Sequence, residues 1–175
     1  DDLLAVQDTM AQQIAAVIEP ELGRLERESA VRKPPANMDA WDFYQRGLFH
    51  FWSFSIPELS EAATMFARSI ELDPDFARAH AGLAYVRVLT AQVGDLDARP
   101  SLVQEALALA RQAVALDDRD CMAHLVLGRA LLMSGQVVDS ISALEGAVAL
   151  NPSFAQGYFA LAQTLIAAER PEEAI

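Results

Sequence analysis

Three stretches, Ser69-Ile-Glu-Leu-Asp-Pro-Asp-Phe76, Ala113-Val-Ala-Leu-Asp-Asp-Arg-Asp120 and Ala147-Val-Ala-Leu-Asn-Pro-Ser-Phe154, are one pattern written three times. Each ends a helical apolar run, turns on Asp or Asn, and leads into another helical run. Pro74, Asp118 and Pro152 hold the same place, 44 and then 34 residues apart. The longer spacing is the shorter one plus ten residues, which the turn-rich stretch Val93-Gly-Asp-Leu-Asp-Ala-Arg-Pro100 accommodates. Strand-type alternation is absent, so the expected class is all-α.

The spacing has a physical reason. Gly128, Ala84 and Ala147 are small enough for two antiparallel helices to approach closely, while Leu127, Leu131 and Leu144 fill the seam between them. Boundary signals agree. Asp73-Pro74 and Asn151-Pro152 read as an N-cap followed by proline in the first turn. Ser55-Ile-Pro-Glu58 and Ser101-Leu-Val-Gln104 fit the capping box. Gly135 offers a left-handed stop.

A period of 34 residues with these small and large positions resembles the tetratricopeptide repeat (TPR). The clearest unit reads Leu127-Gly128, Leu131, Gly135, Leu144, Ala147, Leu150, Pro152. A later unit reads Tyr158, Leu161-Ala162, Leu165, Pro171, Ala174, and an earlier one His80, Leu83-Ala84, Ala106, Ala110, Ala113, with Asp118 where the family has proline. That departure leaves one corner open to a looser shape. Ala40 to Trp52 fits the first helix of the first unit if Gly47 takes the small position, with about three extra residues near Phe54-Ser-Ile. The resemblance implies a TPR-type α-solenoid of helix pairs with an extra N-terminal helix, each pair burying its apolar face only against its neighbours.

The expected organisation is an N-terminal amphipathic helix and linker over 1–35, then an array over 36–175 of about three full repeats and a truncated fourth. The helix carries Leu3, Leu4, Val6, Met10, Ile14, Val17, Ile18, Leu22 and Leu25 as a stripe, with a kink near Pro20 and a linker at Arg32-Lys-Pro-Pro35. It is expected to pack over the first repeat. With Asp2-Leu-Leu-Ala-Val-Gln-Asp8, Ile18-Glu-Pro-Glu-Leu22 and Ala40-Trp-Asp-Phe-Tyr-Gln-Arg-Gly47, the whole chain resembles the C-terminal region of bacterial class III adenylate/guanylate cyclases and related TPR-tailed regulators. That resemblance implies a cytoplasmic regulatory or scaffold segment of a larger bacterial signalling protein. Opening on Asp1 and stopping on Ile175 in mid-pattern, the chain reads as a piece of such a protein. None of the cyclase's metal-binding aspartates has a match here.

Composition narrows the partners. Thirteen basic against twenty-five acidic residues give a net charge of -12, which disfavours nucleic acid and anionic lipid. No apolar run reaches the roughly 20 residues of a membrane span. Catalytic and metal sites are not expected, and no cofactor is implied. His80 and His124 share a repeat position and read as equivalent packing. Cys121, the single cysteine, sits near Arg119, which would lower its pKa slightly. The clusters Asp117-Asp-Arg-Asp120 and Gly94-Asp-Leu-Asp97 lack the glycine and terminal glutamate of a calcium loop.

Repeat position alone places Trp41, Tyr44, Leu48, Phe51 and Trp52, then Arg78, Tyr85, Met122, Leu125, Arg129, Met133, Phe159 and Gln163, on the inner wall of the array. These are the partner-binding candidates, for a protein or peptide ligand or a neighbouring domain of the same polypeptide. Arg78 and Arg129 favour an acidic ligand. Two alternatives stay open: a homodimerisation element that positions the catalytic domains of a parent protein, and a small-molecule sensing domain. Whether the first-repeat aromatics form groove or lie under the N-terminal helix is also open.

Overall fold

The computed structural model describes Leu25, Arg27, residues 38–53 and residues 55–169. Leu25 and Arg27 are helical. The remainder of the expected N-terminal helix, its kink at Pro20, the linker at Arg32 to Pro35, and Pro171 and Ala174 lie outside the described residues. So does Phe54.

Seven helices follow in order: α1 (Ala40–Phe51), α2 (Ile56–Leu72), α3 (Ala77–Val93), α4 (Arg99–Leu116), α5 (Cys121–Met133), α6 (Val137–Leu150) and α7 (Ala155–Ala167). No strand occurs among the described residues. They form three antiparallel pairs and a seventh helix, each packed on the next. The odd-numbered helices also touch one another in sequence, α1 on α3, α3 on α5 and α5 on α7, whereas α2, α4 and α6 make no mutual contact. One side of the stack is therefore shorter than the other. The array curves, with α1, α3, α5 and α7 forming its inner face.

The seams follow a size rule. Within a pair, the small residue of the first helix faces a residue eight before the shared turn position of the second. Gly47 faces Phe66 and Gly128 faces Leu144: a Cβ on Gly47 would lie 2.6 Å from Phe66 Cε1, and one on Gly128 2.5 Å from Leu144 Cγ. In the middle pair both partners are alanine, Ala84 and Ala110, fully buried in one cluster. Phe66 also occupies the space beside Gly82 of α3 and is fully buried. Removing such a ring costs about 3–5 kcal/mol. Side-chain hydroxyls tie the pairs further, Ser69 donating to the Ala40 carbonyl at 2.7 Å and Ser140 to that of Gly128 at 2.7 Å.

The ten-residue insertion is spread over a whole hairpin. α3 and α4 have 17 and 18 residues against 13 and 14 for α5 and α6, and five residues join them against three. The extra residues of the first unit lengthen α2, which has 17.

Several boundaries differ from the sequence reading. Asp73 and Asn151 do not cap the helix that follows; they end the one before, and their side chains accept from the amides of Asp75 (3.2 Å) and Ser153 (3.0 Å). Pro74 and Pro152 then sit in the turn, and α3 and α7 start three residues later. Such an Asx turn satisfies the same side chain without starting a helix. Asp117 does likewise toward Arg119 (3.0 Å), with φ and ψ of -146° and 98° against -141° and 92° at Asp73. Asp118 in place of proline thus leaves that corner unchanged.

Ser101 lies inside α4, which starts at Arg99. Its hydroxyl donates back to the Ala98 carbonyl instead of capping. Ser55 does cap α2, accepting from the Glu58 amide. Asp39 and Asp42 form a reciprocal capping box on α1 that was not anticipated. Gly135 has φ +81°, and the Gln136 and Gly135 amides bond back to the Leu131 and Leu132 carbonyls, the helix stop expected there.

Candidate ligand groove on the inner helix face

The curvature brings one face of α1, α3, α5 and α7 together. Along it runs a chain of rings: Trp41 and Tyr44 both contact Phe76 (5.9 and 5.1 Å between centroids), Tyr44 contacts Phe66 (5.8 Å), and Phe51 contacts Tyr85 (5.0 Å). The Arg129 guanidinium lies 5.6 Å above the Tyr85 ring, within cation–π range. Between α1, α3 and the start of α5 the face deepens into a cavity of about 190 Å³. Its walls include Tyr44, Leu48, Phe51, Trp52 and Tyr85, its floor Phe66, Ala81 and Gly82, and its margin Arg78, Asp120 and Met122.

Seven of the thirteen sequence candidates line this cavity: Tyr44, Leu48, Phe51, Trp52, Arg78, Tyr85 and Met122. Trp41 stands beside it on Tyr44 and Phe76, half exposed. Arg129 joins through Tyr85, and Met133 packs partly buried farther along α5. Phe159 and Gln163 are exposed on α7, away from the cavity lining. Leu125 is corrected: it is fully buried in a cluster with Leu144, Ala147 and Ala160, with Phe154 and Met122 against it. The next helix closes over it. Phe51 is 4% exposed and serves as wall more than as free surface. Ala81, Gly82 and Asp120 were missed, because small residues and a turn aspartate carry no ligand signal until the fold places them at one hollow.

Charge is distributed unevenly. The inner helices α3, α5 and α7 contain no Asp or Glu, whereas α2, α4 and α6 carry Glu58, Glu61, Glu71, Glu105, Asp139 and Glu145. Arg68 and Arg87 pair with Glu71 and Glu105. Among the described residues, Arg78 and Arg129 make no salt bridge. A chain of net charge -12 thus places on its inner face two cations that form no salt bridge among the described residues, with the Asp120 carboxylate lining the same hollow as Arg78.

Burial pushes the Tyr44 hydroxyl up to about 12; Arg78 and Arg27 oppose the rise and Asp120 adds to it. Tyr44 therefore stays neutral at physiological pH. Cys121 is corrected as well. Burial, followed by Asp120, raises its pKa, outweighing the hydrogen bond to Asn151.

His80 and His124 each donate from Nε2 to the carbonyl six residues back, Pro74 at 2.8 Å and Asp118 at 2.9 Å. The shared repeat position is a shared structural bond. Among the described residues no three His, Cys, Asp or Glu side chains are grouped to hold a metal ion, and no helix is long and apolar enough to cross a membrane.

Known proteins resemble this chain at two levels. In sequence it is 30% identical over 132 residues to a Rhizobium meliloti (strain 1021) protein named "Putative adenylate cyclase 3"; the match covers 75% of this chain and 22% of that protein. No protein-family model matches. In structure it is similar to a thermophilic TPR protein of Thermus thermophilus (TM-score 0.71, 18% identity, 94% of this chain and 81% of that one). It is also similar to the first TPR of Spaghetti (RPAP3) bound to an HSP90 peptide (TM-score 0.60, 17% identity, 75% and 94%). By fold, then, the chain is a tetratricopeptide-repeat solenoid, and in sequence it resembles a segment, 22% of the length, of that Rhizobium meliloti protein.

Proposed function

We propose that the inner face binds an acidic, extended segment of a protein partner or of a neighbouring domain, and that the chain is a non-catalytic interaction module of a cyclase-type bacterial signalling protein working in the cytoplasm. The observation that carries this is the pair Arg78 and Arg129, unpaired on inner helices that lack carboxylates, in a chain that is otherwise strongly acidic. Complementary charge mainly sets orientation and association rate, while the aromatic wall supplies contact area. The TPR domain of Spaghetti (RPAP3) is bound to the acidic peptide SRMEEVD, and the second TPR domain of human RPAP3 to the HSP70 peptide SGPTIEEVD. Both support an acidic peptide as the ligand class. The link to a cyclase rests on the sequence match to the Rhizobium meliloti protein.

The test uses the whole chain and a labelled acidic heptapeptide such as SRMEEVD. Binding should weaken at least tenfold in Arg129→Glu and again in Arg78→Glu, and should fall as salt rises from 50 to 300 mM. Equal affinity of both variants and the unaltered chain would remove the groove reading.

A further inference from the structure

The cavity exists because the chain breaks its own repeat at one place. Before α3 and α7 the entering residue is Phe76 or Phe154; before α5 it is Asp120. Phe76 packs on Tyr44 of the preceding inner helix, and Phe154 packs with Leu125. The position equivalent to Tyr44 and Leu125 in α3 is Ala81, followed by Gly82. Both large groups that close the other seams are thus missing between α3 and α5, and their replacements Ala81 and Asp120 line the hollow together with Gly82. Unfilled apolar volume is destabilising. Either Phe or Leu would be available to a sequence whose neighbouring repeats already use them.

We propose that this hollow is an anchor site taking one large uncharged apolar side chain, of the leucine, methionine or phenylalanine class, from the acidic segment bound in the groove. The inference rests on the groove reading above and adds the feature that selects among acidic segments. Size favours a side chain over a free metabolite: sites for drug-sized molecules run to roughly 300–1,000 Å³, against about 190 Å³ here. Polarity agrees, since the walls are mainly aromatic and aliphatic. Asp120 at the margin opposes entry of a carboxylate, whereas Arg78 beside it and Arg129 above Tyr85 are placed for the acids on either side. Ring contacts hold Tyr44 against Phe66 and Phe51 against Tyr85, so the walls stand before the ligand arrives.

The experiment titrates the full chain into fluorescein-labelled seven-residue peptides that differ only in a central residue, Gly, Glu, Leu or Phe, between acidic flanks. Leu and Phe peptides should bind at least tenfold more tightly than Gly and Glu peptides. Asp120→Phe, which writes the neighbouring repeats' residue into this place, should erase that preference while the Gly peptide still binds; Ala81→Leu fills the hollow from the other wall and serves if the first variant does not fold. Equal affinity for Gly and Phe peptides, or a preference that survives filling, overturns the anchor and leaves the groove standing. Failure of every peptide to bind overturns both.

Discussion

At the scale of single residues, the seams are an exchange of volume between two helices. Gly128 with Leu144 and Ala84 with Ala110 are two solutions of one packing problem, which makes the pair, not the residue, the unit of selection. Gly128→Ala should lower stability by about 1–2 kcal/mol, because overpacking of about 1–3 kcal/mol outweighs the gain in helix propensity. Leu144→Ala should cost about 2–5 kcal/mol. The double variant reproduces the middle pair and should cost less than the two singles together, by at least about 0.5 kcal/mol in urea unfolding; strict additivity would show that the two positions do not share a volume. Much of this was legible, since small and large positions recur at a fixed period. Leu125 was not: its position in the repeat marks an inner wall, yet the seventh helix and Phe154 cover it, which only the neighbouring unit decides.

Among elements, the turns between pairs carry the repeat as much as the helices do. Asp73, Asp117 and Asn151 each fold their side chains onto an amide two residues on, and the three corners have closely matching backbone angles. The sequence pattern showed where these corners are but misassigned their bonds, because an Asx turn and an N-cap are both written as Asp or Asn before Pro. What distinguishes the middle corner is Asp120, whose carboxylate accepts from the Met122 amide at 2.9 Å and caps α5, whereas α3 and α7 start without a side-chain cap. Asp120→Ala should therefore cost about 1 kcal/mol of stability, and Asp120→Asn, which keeps the acceptor, only a few tenths. Thermal unfolding of both separates them. Equal losses would mean that the aspartate acts through its negative charge at the N-terminus of α5 instead of through the hydrogen bond it accepts.

For the whole molecule, stability should be graded along the array, because each pair is held only by its neighbours. The middle of the chain has the most: α3 touches α1, α2, α4 and α5, whereas among the described residues α7 touches only α5 and α6 and leaves Tyr158, Phe159 and Ile166 exposed. The architecture itself was readable from period and seam, since both are local; the curvature and the hollow were not, since they depend on which units end up side by side. The same locality that makes the fold legible makes its ends loose. Amide exchange followed by mass spectrometry on the full chain should find α7 exchanging at least tenfold faster than α3, with α4 and α5 protected alongside α3. The groove around Tyr85 would then sit on the most protected part of the solenoid, which is where a preformed anchor site has to be. Uniform protection from α1 to α7 would instead mean one cooperative unit, and a hollow held open by the whole chain and not by its two flanking pairs.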